Sequence, residues 1–137
     1  MDTHYQFDDL LFEEQFREGT FPPQLFTHEA HLRLAWIHIR RYGVEYAADQ
    51  ICLQIKDFDR LHGDGTKFHK TLTVAAVRAV YHFMQKFRSD NFADFIVEFP
   101  RLKHSFKELL DFHYTAKRLQ NQDARYEYVE PDLVPFS

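Results

Sequence analysis

One cysteine, Cys52, occurs in 137 residues. That excludes an internal disulfide and any zinc ribbon built on paired thiolates, and it reads as a small buried hydrophobe. Glycine and proline are scarce, at 4 and 5 residues. No Asn-Gly turn or sustained period-2 alternation argues for a hairpin. Serine occurs three times, never in a nucleophile elbow, so a Ser–His–Asp hydrolase has no support. No apolar run approaches the roughly 20 residues that span a bilayer. The acidic start MDTHYQFDDL lacks the apolar segment of a signal peptide. We therefore expect a cytoplasmic protein with no membrane partner. Basic excess is missing too: the formal charge is −4 at pH 7 and Lys and Arg are scattered, which argues against a nucleic-acid partner.

What is plentiful is phenylalanine, with 15 residues, and histidine, with 9. Apolar residues make up 45% and charged residues 28%, the balance of a globular chain, and residues 1–137 fit a single domain. The glycines and prolines fall where helices should stop. A first helix runs from Asp8 to Glu18 and ends at Gly19. Thr27 caps a second, which closes at Arg40, Arg41 and Gly43. A third spans about Val44 to His62, before the loop GDGT. A fourth covers Lys67 to Phe87, and a short fifth starts after Ser89 or Asp90 and is closed by Pro100. A sixth covers roughly Leu102 to Tyr114, short helical pieces follow, and EPDLVPFS forms an extended tail. The fold class is all-α: a bundle of five or six helices with short loops.

The histidines follow the apolar faces. At 100° per residue, His28 falls with Leu32, Ala35, Trp36 and Ile39, while Glu29, Arg33 and Arg40 gather on another side. His31 and His38 border that apolar face. His69 sits mid-stripe with Leu72, Thr73, Ala76, Val80 and Phe83, and His82 falls on the wet side. His62 closes the row Ile51, Ile55, Phe58, and His113 closes Phe106, Leu109, Leu110. Antiparallel neighbours bring the start of the second helix, the end of the third and the start of the fourth to one pole. If the fifth helix only reverses the chain, the end of the sixth returns there as well. His28, His31, His62, His69 and His113 then converge, with His38 about 15 Å away along the axis. His4 and His104 receive no placement.

Neutral imidazoles donate to divalent transition metals such as Zn, Fe or Ni. His28 and His31, one turn apart, can reach one ion, and His69 can add a third ligand from a facing helix. His62 and His113 are second choices. Asp59, Asp64 or Glu29 can serve as a fourth ligand, an orienting group or a base, although Glu29 points away from the core and also reads as a first-turn carboxylate. His28-Glu29-Ala30-His31 is not the zincin pattern, and no Glu-x-x-His motif suggests a carboxylate-bridged di-iron bundle. Trp36, Phe68 and Tyr114 wall the pocket or simply pack.

The segments FTHEAHLRLAW, KFHKTLT and VEPDLVPF resemble a family of small bacterial helical proteins. Its members share a Thr-His-x-x-His-Leu helix start, an aromatic-His-x-Thr-x-Thr segment and a Pro-Asp tail. The resemblance covers most of the chain and touches Thr27, His28, His31, Leu32, His69, Thr71, Thr73, Pro131 and Asp132. It implies no particular reaction. That family commonly has glutamate after the second-segment histidine, where this chain has Lys70, so no acid–base role carries over. The arrangement is also similar, by analogy only, to DinB-like bundles, in which histidines from several helices hold a metal.

Three readings stay open. One is a divalent-metal-binding bundle, extending to a metal-dependent hydrolase or oxidoreductase acting on a small molecule. Another is a metal-free pocket for a small anionic or polar ligand. The third is an interaction module with structural histidines, homodimerisation included.

Overall fold

The structure, a computed structural model, describes residues 3–136. It is all-α, with no strand among the described residues. Helices α1 (Asp9–Glu18), α2 (His28–Tyr42), α3 (Val44–His62) and α4 (Lys70–Met84) make the main body. Helices α5 (Phe92–Glu98), α6 (Arg101–His104), α7 (Phe106–Asp111), α8 (Ala116–Gln120) and α9 (Gln122–Tyr126) are short. None is long and apolar enough to cross a membrane.

The punctuation is local chemistry. The Asp8 carboxylate accepts the Leu11 N–H at 2.8 Å, and the Thr27 hydroxyl accepts the Ala30 N–H at 3.2 Å, each satisfying a donor that the helix start leaves open. Gly19 ends α1 at φ 78°, a left-handed conformation that favours glycine. Asn91, rather than Ser89 or Asp90, caps α5 through the Asp94 N–H. The expected sixth helix is two pieces, because Ser105 leaves the helical region at ψ 35° between α6 and α7.

Helix α2 is the axis of the fold, packed by α1, α3, α4, α5 and α6. Every residue from Ala30 to Ile39 is buried except His31, which is half-buried. This corrects the two-faced helix expected from periodicity. Its polar side is covered by the N-terminal segment, whose single 3-10 turn, His4–Gln6, lies against it. Arg33, expected in water, is 5% exposed. Its guanidinium donates to the His4 carbonyl at 2.7 Å, the Phe7 carbonyl at 2.7 Å and the Asp9 carboxylate at 2.9 Å. Glu29 does not point into solvent either. It accepts from His4 Nε2 at 2.8 Å and pairs with Lys103 at 3.0 Å. A fork with three acceptors compensates the desolvation of a buried cation.

Residues 127–136 carry no helix and lie across the bundle. The Thr71 hydroxyl donates to the Glu127 carbonyl and accepts the Val129 N–H. The Tyr114 hydroxyl donates to the Val129 carbonyl at 2.7 Å. Asp132 receives both the N–H and the hydroxyl of Thr115.

Candidate functional site

The start of α2, the end of α3, the loop after it, the first turns of α4 and α7 enclose an open cavity of about 540 Å³. Its walls are mainly apolar: Phe26, Ile55, Phe58, Phe68, Leu72, Ala76, Phe106 and Leu110. Phe16, outside the lining, stacks on Phe58 at 4.6 Å and holds that wall from behind. The loop is shaped by carboxylates. Asp59 accepts the N–H groups of Lys67 and Phe68 at 2.9 and 3.0 Å. Asp64 accepts the N–H and the hydroxyl of Thr66, and Gly65 turns at φ 80°. Asp59 and Asp64 are thus occupied in building the loop.

Four of the five candidate histidines line this cavity: His28, His31, His62 and His69. Three are tied to backbone carbonyls, which only accept, so the bonded nitrogen carries the proton. His28 Nε2 donates to the Leu102 carbonyl at 3.0 Å. His62 Nε2 donates to the Gly19 carbonyl at 2.8 Å. His69 is not within the buried stripe of α4 but is its N-cap. Its Nδ1 accepts the Leu72 N–H at 3.1 Å and its Nε2 donates to the Leu119 carbonyl at 3.3 Å. Both its nitrogens are engaged, so a metal ion there has to displace one of these bonds. His28 is not turned into the core either. It lies in the first turn of α2 and stands exposed on the rim.

His31 differs. Its Nε2 is shielded from solvent and has no hydrogen-bond partner. Burial, with His28 close by, pushes its pKa down to about 4, so the ring is neutral at pH 7. Phe26 lies against it at 5.9 Å between ring centroids.

His113 lies elsewhere. It stacks on Phe136 at 4.1 Å and donates to the Val134 carbonyl at 2.6 Å. The break at Ser105 redirects the chain, so the end of the sixth segment does not return to the pole as expected. Its neighbour there is His82, partly buried rather than solvated. His38 is, as expected, not part of the cavity, but it is 1% exposed with both ring nitrogens unpartnered and its pKa lowered by burial. Trp36 and Tyr114 pack in the core and only Phe68 reaches the cavity. Among the described residues, no group of three or more His, Cys, Asp or Glu side chains is arranged to hold a metal ion. The four histidines line one cavity from α2, the end of α3 and the start of α4.

Lys67 and Lys107 also line the cavity. Nothing in the sequence marked Lys107. Lys67, in GDGTKFH, carried a weak signal as a cation next to a candidate histidine. The motif threonines act structurally: Thr27 caps α2, Thr71 holds residues 127–129, and Thr73 donates to the His69 carbonyl at 2.8 Å.

Comparison of the chain with family models, with curated proteins and with solved structures gave no match. The functional reading therefore stands on the cavity itself.

Proposed function

We propose that this chain binds a small organic molecule in the cavity between α2, α3, α4 and α7. The carrying observation is one mainly apolar recess of about 540 Å³ lined also by four histidines and two lysines. Ligand sites have this make-up: an apolar wall for the body of the ligand and a few polar groups to orient it. Cytoplasmic residence belongs to the same proposal and is supported by the lone, buried, unpaired thiol of Cys52.

A thermal-shift screen of small amphiphiles, with and without EDTA, tests the reading. The expected result is stabilisation that survives the chelator and is lost in Ala76→Phe, which places a ring in the cavity. Absence of stabilisation by every amphiphile refutes it.

A divalent metal is the second reading. What favours it is the pair His28 and His31, one turn apart on the same wall, with His31 Nε2 free of a hydrogen bond. The metal-dependent hydrolase or oxidoreductase readings depend on it. His28 and His31 would hold the ion, which would supply Lewis-acid chemistry. His62 would have to turn from Gly19 to place its Nε2 on the same ion. Zinc, iron or nickel bound near one equivalent, in protein purified without a histidine tag, establishes this alternative.

A further inference from the structure

Resting on the ligand-binding reading above, we propose that the occupant is an organic anion with an apolar body. Its charged head lies among the basic side chains of the cavity. Charge complementarity carries the class of ligand. The chain as a whole is acidic, at −4, yet the titratable groups facing this recess are nearly all bases. They are His28 beside His31 on α2, His62 from α3, Lys67 from the loop, His69 at the start of α4 and Lys107 from α7. The one carboxylate, Asp59, already receives two backbone N–H groups. A local excess of cations within an acidic protein concentrates an anion there. The apolar majority of the lining then favours a hydrocarbon or aromatic body over a bare inorganic ion.

The probes are 1-octanesulfonate, octanamide as its neutral counterpart, and octyltrimethylammonium. Binding is followed by titration calorimetry near pH 7.5. Octanesulfonate is expected to bind roughly tenfold tighter than octanamide, with the ammonium weakest. Octanamide binding as tightly as octanesulfonate overturns the anion while leaving the ligand cavity intact. Failure of all three probes to bind overturns the cavity reading as well.

Discussion

His69→Ala removes two bonds at once. The first is the cap on the Leu72 N–H, a kind of loss that costs about 1 kcal/mol, up to about 2. The second is the link from Nε2 to the Leu119 carbonyl, which ties the start of α4 to α8 and contributes about 1 kcal/mol. His69→Asn separates them, because an asparagine oxygen can still accept from Leu72 but the shorter side chain cannot span to Leu119. The expected costs are about 2 kcal/mol for alanine and about 1 kcal/mol for asparagine. With an unfolding entropy of about 2.1 cal/mol/K per residue over 137 residues, these correspond to drops in Tm of about 7 and about 3 °C. Urea unfolding with circular dichroism supplies the free energies, and calorimetry the Tm values. Alanine within about 0.3 kcal/mol of wild type, or asparagine falling as far as alanine, refutes the capping role. The pair also speaks to chemistry. If His69 is a metal ligand, both variants lose the metal equally.

Three further outcomes follow from other sites. Arg33→Met strands the carbonyls of His4 and Phe7 and unpairs Asp9, and should cost about 3 kcal/mol in urea unfolding. His31 titrates in the folded protein near pH 4, below the 6.5 of an unfolded histidine. The unfolded chain therefore binds the extra proton in that window, and the contribution of His31 to stability is complete above about pH 6.5 and falls away toward pH 4. His31→Gln should lessen that decline in pH-dependent denaturation. Tyr114→Phe deletes the donor to the Val129 carbonyl. It should cost about 1 kcal/mol and hasten amide exchange at Leu133 and Val134 more than in α2.

The helix starts and stops were legible wherever a residue acts on its own neighbours. Asp8, Thr27, Gly19 and Gly43 do in space what their local chemistry dictates. The meeting of His28, His31, His62 and His69 at one cavity was legible as well, since it follows from short connections between α2, α3 and α4. Three features were hidden. Arg33 looked solvated until residues 4–9 covered it. His69 fits the α4 stripe by period, yet histidine is an uncommon cap and the helix begins one residue later. His113 continues an apolar row, but the kink at Ser105 lies in a segment whose composition is helical throughout. Carbonyl partners such as Gly19 and Leu102 leave no trace in side-chain patterns at all.

The burial of the middle of α2 has a consequence for anyone who wishes to alter this protein. A saturation map of residues 30–39 should lack the tolerant positions that recur each turn along an ordinary amphipathic helix, and charged Arg33 should prove as unforgiving as Leu32 or Trp36. Handles for labelling or immobilisation belong on the outer side of α3, at Tyr46 or Leu53, where the side chains already stand in solvent.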